Sequence, residues 1–316
     1  MDNLTVIAVG GNSLIKDETR KSVADQYDCI RAIAARIADV SATGRRVLVT
    51  HGNGPQVGFI HRRSELANEV LNMHLVPLNS CVADSQGAIG YQFQQALGNE
   101  FEKRGRPERA VTVITRVEVD PLDPAFENPD KPIGDFYSEE KAREMMSRHP
   151  DWIMRDDSGR GFRRMAPSPA PVSIIEQDAV ADLLHAGYVV IAAGGGGIPV
   201  ARHGSELIGL DAVIDKDLTS SMLAANLGAD MLMISTKVEH VSINYRTPDE
   251  KILRDVDAET MKRYMSEGHF APGSMRPKVR AVLDFLDAGG QTAVITSADA
   301  FGRAAKGEGG TRIRKS

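Results

Sequence analysis

Cysteine is scarce: Cys29 and Cys81 are the only two in 316 residues, and their positions give no metal-ligand spacing. A chain of this length needs no disulfide staple, so a reducing cytoplasm is the expected setting. Long apolar runs are also missing. The richest, Tyr188 to Ala201, is too short to span a bilayer and contains the glycines Gly194 to Gly197, so it reads as a buried strand entering a loop. The opening Met1-Asp2-Asn3-Leu4 has no basic stretch ahead of an apolar one, and Val6 to Val9 is too short for the core of a leader, so export is not expected. The eight histidines lie scattered, without the spacing that gathers ligands, and no structural metal is expected. No repeat or low-complexity tract occurs. A formal net charge of -5 excludes bulk affinity for nucleic acid or anionic membrane, so an anionic ligand must be met by a local basic pocket. No glycine is followed directly by lysine, which rules out a Walker A loop.

What is present is a chain with 42% hydrophobic residues, enough for a catalytic α/β domain. Short β-branched runs end in glycine: Leu4 to Val9 before Gly10, Val47 to Thr50 before Gly52, and Tyr188 to Ala193 before Gly194. Further strands are predicted over Val111 to Thr115, Met231 to Ser235 and Thr292 to Thr296. Helical spacing marks Asp25 to Val40, with Ile30, Ile33, Ala34 and Ile37 on one face, and helices are predicted over Leu218 to Leu227 and Pro277 to Ala288. Strand and helix alternate, which implies a mainly parallel sheet covered on both sides, in a single domain spanning 1–316. One segment breaks the rhythm. Asp120 to Pro171 is rich in proline and dense in charge around Trp152, the composition of an inserted lid or small subdomain.

Two turns could hold an anion. Gly10-Gly11-Asn12-Ser13 leaves the opening strand through glycines that uncover backbone N–H groups. His51-Gly52-Asn53-Gly54-Pro55-Gln56-Val57-Gly58 leads into a helix whose N-terminal dipole favours negative charge. The spacing of Gly52, Gly54 and Gly58 also imitates a dinucleotide fingerprint, the alternative of an oxidoreductase. That fingerprint expects a further strand within about 30 residues, whereas the next predicted one starts at Val111. Lysines for a phosphate would come from elsewhere: Lys131 in Lys-Pro-Ile-Gly, Lys216 in Asp-Lys-Asp and Lys278 in Gly-Ser-Met-Arg-Pro-Lys. Lys216 stands out, because flanking Asp215 and Asp217 would keep it charged and held in place. Phosphoryl transfer needs this kind of set, fixed cations and N–H donors around the charge spread over the moving oxygens.

The segments Val-Gly-Gly-Asn-Ser (9–13), His-Gly-Asn-Gly-Pro-Gln-Val-Gly (51–58), Ser-Gln-Gly-Ala-Ile-Gly-Tyr (85–91), Asp-Pro-Ala-Phe-Glu-Asn-Pro-Asp-Lys-Pro-Ile-Gly (123–134), Ala-Gly-Gly-Gly-Gly-Ile-Pro-Val (193–200), Ala-Val-Ile-Asp-Lys-Asp (212–217) and Gly-Ser-Met (273–275) are collinear with those of carbamate kinases. The chain resembles that family over nearly its whole length, to Gly-Thr-Arg-Ile at 310–313. The resemblance implies the amino-acid kinase fold, a three-layer α/β/α sandwich, with the inserted subdomain 120–171 bringing Lys131 over the site. It implies an ATP:carbamate phosphotransferase in which ADP and carbamoyl phosphate give ATP and carbamate, with Mg²⁺ on the nucleotide and no metal ligand assigned to the protein. A homodimer is implied as well, and a place in the catabolism of arginine, agmatine or purine-derived ureides. Carried over by position, Gly10, Gly11, Asn12, Gly52, Asn53 and Gly54 would cradle the carbamoyl and phosphate groups. Lys131, Lys216 and Lys278 would neutralise phosphate charge while Asp217 orients them, and Lys216, Lys237, Ser242, Met275 and Lys278 would meet the nucleotide.

Three positions depart from the family pattern. Arg276 stands where glycine is usual, so that the loop before Lys278 would be stiffer or would carry an extra cation beside the phosphates. Lys237 replaces a small or acidic residue and Ser242 a tyrosine, both within the segment Ser235 to Asn244, which resembles the nucleotide-base pocket. These departures keep open a related acid kinase with another acceptor, or a carbamoyl-phosphate-binding protein with weakened catalysis.

Overall fold

The computed structural model describes residues 3–17 and 19–315; Met1 and Asp2, part of the segment read for a leader, fall outside it, as do Glu18 and Ser316. The chain opens with β1 (Leu4–Val9), every residue of which is buried. An unbroken apolar run of this kind suits a strand covered on both faces. Helix α1 (Val23–Ser41) starts at a capping box in which Ser22 and Asp25 satisfy each other's backbone N–H groups, a device worth about 1 kcal/mol. Its buried stripe includes Ile30, Ile33, Ala34 and Ile37, the face that the spacing predicts. Strand β2 (Arg46–His51) runs into α2 (Gly54–Leu71), whose second residue is Pro55, where the missing N–H breaks no helical bond.

Helix α3 (Leu78–Lys103) occupies 26 residues for which the sequence reading placed no element. Its glycines Gly87, Gly90 and Gly98 each weaken intrinsic helicity by about 1 kcal/mol. Burial of Ile89, Phe93, Leu97 and Phe101, four residues apart along one face, outweighs that loss. Gly90 is needed where α3 crosses β3 (Arg109–Thr112), because a Cβ there would lie 2.3 Å from Thr112 Cγ2. The strand predicted to reach Thr115 stops at Thr112; the chain then leaves this sheet, and β4 (Arg116–Val119) joins another.

Residues 120–171 contain β5 (Lys131–Tyr137), α4 (Glu139–Arg148), β6 (Ile153–Asp156) and β7 (Phe162–Ala166), with the strands paired antiparallel in the order β5-β7-β6. They pack around Ala142, Met145 and Met154, with Trp152 and Phe162 at the edge. The chain continues with β8 (Pro171–Ile174), α5 (Gln177–His185), β9 (Tyr188–Ile191), β10 (Ile198–His203) and β11 (Glu206–Gly209). Next come α6 (Lys216–Asn226), β12 (Met231–Ser235), β13 (Val241–Ile243), β14 (Lys251–Leu253) and β15 (Asp255–Asp257). Helices α7 (Ala258–Ser266) and α8 (Met275–Asp287), strand β16 (Thr292–Thr296), helix α9 (Phe301–Ala305) and strand β17 (Thr311–Arg314) complete it.

The main sheet has eight strands in the order β15-β17-β16-β12-β1-β2-β9-β3. Its pairs are parallel except where β17 runs against β16. Alternate residues of β1 feed opposite cores. Leu4, Val6 and Ala8 join Leu223 of α6 and Val282 and Phe285 of α8 on one face. Ile7 and Val9 join Ile30 and Ile37 of α1, Phe93 of α3 and Phe301 of α9 on the other. The result is a three-layer α/β/α sandwich with β1 at its centre, as the resemblance implies. Strand β2 is followed by two helices before β3, so the βαβ unit that a dinucleotide fingerprint requires is absent. Among the described residues no helix is long and apolar enough to cross a membrane.

Candidate active site

In an open parallel sheet, ligands bind beyond the carboxyl ends of the strands. Here the segments leaving β1, β2, β9 and β12 line one cavity of about 860 Å³. Gly11 begins a single 3₁₀ turn. The N–H of Gly10 donates to Ser235 Oγ at 2.7 Å, tying this turn to the end of β12, and the N–H of Gly52 donates to the carbonyl of Val9 at 2.8 Å. The two glycine turns touch backbone to backbone: a Cβ on Gly52 would lie 2.6 Å from Gly11 N, and one on Gly11 would lie 3.1 Å from Asn53 N. Gly54, by contrast, would carry a Cβ into space holding no protein atom within 4 Å, and it lines the cavity. Asn12 lines it too, and Asn53 is anchored from below, its Nδ2 donating to Ser85 Oγ of α3 at 2.7 Å.

The three lysines converge on two neighbouring carboxylates at the start of α6. Lys216 Nζ donates to Asp217 Oδ1, and Lys278 Nζ, from α8, donates to Asp217 Oδ2 at 2.9 Å. Lys131 Nζ, from β5, donates to Asp215 Oδ2 at 2.9 Å. The other oxygen of Asp215 caps α6 by accepting from the N–H of Asp217 at 2.9 Å. Asp217 therefore orients two of the lysines; Lys131 is held instead by Asp215, which the sequence reading assigned to flanking Lys216. Burial alone would raise the Asp217 carboxyl, but the charges of Lys216 and Lys278 override it and hold the group well below the usual carboxylate range. Lys216 shows the other side of the balance. Flanking carboxylates were expected simply to keep it charged, yet burial is the larger influence and lowers its pKa, with Lys278 pushing the same way and Asp217 opposing.

Lys237, Ser242 and Met275 all line the same cavity, as do Tyr245, His240 and Phe270. Arg276 does not. It is the second residue of α8, exposed, and absent from the cavity wall, so the extra cation expected beside the phosphates is not there. Met275, Pro277 and Lys278 line the cavity, while the Arg276 side chain between them is exposed.

Sequence reasoning also passed over Gly195 and Ser235, both of which line the cavity. The run Gly194 to Gly197 follows Ala193, at φ +51, and Gly195, Gly196 and Gly197 have φ of +69, +93 and +97, a path that L side chains adopt with strain. A Cβ on Gly195 would lie 2.0 Å from Asn53 Nδ2. The four-glycine run itself was the available signal. Ser235 is marked in sequence only as the end of a predicted strand and the start of the segment likened to the base pocket; its bond to Gly10 depends on a strand neighbour far along the chain. Beneath the second turn, His51 is buried against Phe93. Burial drives its pKa down to about 4, with the Gly52 carbonyl opposing and Lys216 adding to the fall, so the ring is neutral near pH 7.

A cavity walled by glycine turns and carboxylate-seated lysines at the strand ends of an α/β/α sandwich defines a phosphate-handling enzyme without a P-loop. A sequence model of the amino acid kinase family matches residues 3–297, and the chain belongs to that family. Within it, the chain groups with the carbamate kinases. Carbamate kinase-like protein YahI of Escherichia coli is 47% identical over 316 residues, all of both chains. The carbamate kinase of Pyrococcus furiosus is 43% identical over 313 residues, 99% of each. The solved structure of carbamate kinase from Giardia lamblia bound to AMP-PNP superposes with a TM-score of 0.94 at 41% identity, covering 99% of each chain.

Proposed function

We propose that this chain catalyses reversible phosphoryl transfer between carbamoyl phosphate and ADP, giving ATP and carbamate, which breaks down to ammonia and CO₂. The observation that carries this reading is the convergence of Lys131, Lys216 and Lys278 on Asp215 and Asp217, in one cavity with the Gly11 and Gly52 turns. A β-phosphate oxygen of ADP attacks the phosphorus as its bond to the carbamate oxygen breaks. Little covalent help is needed, so positioned cations and N–H donors supply the catalysis. The glycine turns hold the carbamoyl and phosphate end. Lys237, Ser242 and Met275 hold the nucleotide end, with Lys216 and Lys278 between them. Residues 120–171 act as a lid that carries Lys131 over the transferring group.

The residues present fit a Mg²⁺ that arrives on the nucleotide. Asp215 and Asp217 are the carboxylates of the cavity wall, and all four of their oxygens already accept hydrogen bonds from lysines or from an N–H. The ion would be held by phosphate oxygens and water, where it would neutralise charge on the ADP phosphates. The reading extends to a homodimer working in the cytoplasm, on the ATP-forming side of arginine or ureide catabolism.

A second reading, a related kinase with another acceptor or a carbamoyl-phosphate binder with weak turnover, is favoured only by Lys237 and Ser242 at the nucleotide end. Purified protein incubated with ADP, Mg²⁺ and carbamoyl phosphate should produce ATP. Binding of carbamoyl phosphate without ATP formation would reject the proposal in favour of the second reading.

A further inference from the structure

Helix α2 begins in the second glycine turn, and one of its faces is covered by the inserted sheet. Gly58, His61, Arg62 and Glu65 lie three and four apart, and each meets residues 130–166 or their support. A Cβ on Gly58 would lie 3.3 Å from the backbone of Gly134, so helix and β5 are in close backbone contact. Glu65, 6% exposed, accepts from the Tyr137 hydroxyl at 2.7 Å and from Arg62 at 3.0 Å, and pairs with His61 Nδ1 at 3.0 Å. Arg164 of β7, also 6% exposed, donates to His61 Nε2 at 2.8 Å, pairs with Asp211, and lies with its Cζ 4.2 Å from the centre of the Trp152 ring.

The hydrogen bonds are directional. With Arg164 donating to Nε2, His61 accepts there and donates from Nδ1 to Glu65, so the ring links an insert cation to a helix anion. Burial by itself would raise the Glu65 carboxyl, but His61, Tyr137 and Arg62 hold it down at about 2, and it remains an acceptor. A buried guanidinium and a buried carboxylate that share the His61 ring fix geometry strongly, because removing the ring takes one partner from each buried charge. In register, Lys131 is paired with Ala166, two residues beyond Arg164 on β7.

Resting on the reading of Lys131 as a phosphate-contacting residue, we infer that His61, Glu65 and Arg164 are positioning residues for the transfer reaction: they lock the insert onto the helix that carries the Gly52–Gly54 turn, and so set Lys131 against the phosphate site. None of them lines the cavity. Their effect on chemistry passes through Lys131.

Trp152 is the sole tryptophan and reports on this seat without reference to activity. Arg164→Met and, as a milder disruption, His61→Gln should increase acrylamide quenching of Trp152. Both should lower kcat by about 10-fold or more, as displacement of a catalytic group of about 1 Å does, while KM for ADP stays within about 2-fold. In a Lys131→Ala background the same substitutions should change kcat by less than about 2-fold, because coupled residues do not add. Full penalties persisting without Lys131, or greater quenching with kcat unchanged, would overturn the inference. Failure of the wild-type chain to make ATP would instead remove the proposed function on which it rests, and that is read before any variant is compared.

Discussion

A Cβ on Gly52 would lie 2.6 Å from the amide nitrogen of Gly11, closer than real side chains come to backbone. The two turns therefore form one surface, although 41 residues separate them in the chain. Gly52→Ala must push them apart. We expect a loss of ATP formation of at least about 10²-fold, against a stability loss of about 1–3 kcal/mol from overpacking. Paired kinetic and urea-unfolding measurements on this variant check the expectation, and Gly54→Ala is the control: with no protein atom within 4 Å of its Cβ it should fold as the wild type does.

Lys216 should control the alkaline side of the pH profile. Its pKa is lowered, chiefly by burial, so raising pH discharges it before an ordinary lysine. The alkaline limb of kcat/KM should then fall below the usual lysine range. In the same window the unfolded chain binds the extra proton, so this group makes stability rise with pH while activity falls. That opposite movement separates discharge from unfolding. Lys216→Ala should remove the limb and lower kcat by about 10²-fold or more with the melting transition retained.

The fold was legible where burial on both faces writes itself as a continuous apolar run. Met231–Ser235 and Thr292–Thr296 have the predicted ends, and the helices starting at Lys216 and Met275 begin two residues before their predicted starts. Helix α3 was not legible, because its glycines and polar residues hide an apolar stripe spread over 26 positions. In the site, Lys131 could be picked out but its partner could not: Asp215 lies 84 residues away, and only the packing of β5 against the body brings them together. The extra cation expected at Arg276 is missing from the cavity because its side chain is exposed although Met275, Pro277 and Lys278 around it line the wall.

His51 gives a stability signature of its own. The buried ring has a pKa of about 4, against about 6.5 for an exposed histidine. Below pH 6.5 the unfolded state takes up a proton that the folded state refuses, so stability falls as pH drops and the loss is complete near pH 4. The shift corresponds to about 3 kcal/mol. Urea unfolding of wild type and His51→Asn at pH 7.5, 6 and 4.5 should show a steeper loss in the wild type; parallel curves would show that the ring titrates alike in the folded and unfolded chain.

Gly195 should separate the two substrates. Its φ of +69 and the 2.0 Å approach of Asn53 Nδ2 to its hypothetical Cβ mean that Gly195→Ala displaces the Asn53 side chain. Asn53 belongs to the proposed carbamoyl and phosphate end, and Lys237, Ser242 and Met275 to the nucleotide end. Kinetics should show KM for carbamoyl phosphate rising by about 10-fold, the worth of a hydrogen bond to a charged group, with KM for ADP nearly unchanged. Equal rises in both would place Asn53 outside the carbamoyl end.

The nucleotide end can be strengthened by one aromatic ring. Ser242, paired with Ile252 in the β13–β14 hairpin, lines the cavity, as does Tyr245, which is 51% exposed. A hydroxymethyl group offers a base no flat surface, whereas a tyrosine at this position would project a ring from the same strand into the same space. A stacked aromatic contact is worth about 1 kcal/mol, or roughly a 5-fold change in affinity. Ser242→Tyr should therefore lower KM for ADP about 5-fold while leaving KM for carbamoyl phosphate alone, since the glycine turns belong to the proposed carbamoyl and phosphate end. Isothermal titration with the non-hydrolysable analogue AMP-PNP should show the same gain in binding. A ring that weakened AMP-PNP binding would mean that the base occupies the space now left beside Ser242, and would move the nucleotide pocket closer to β13 than this assignment puts it.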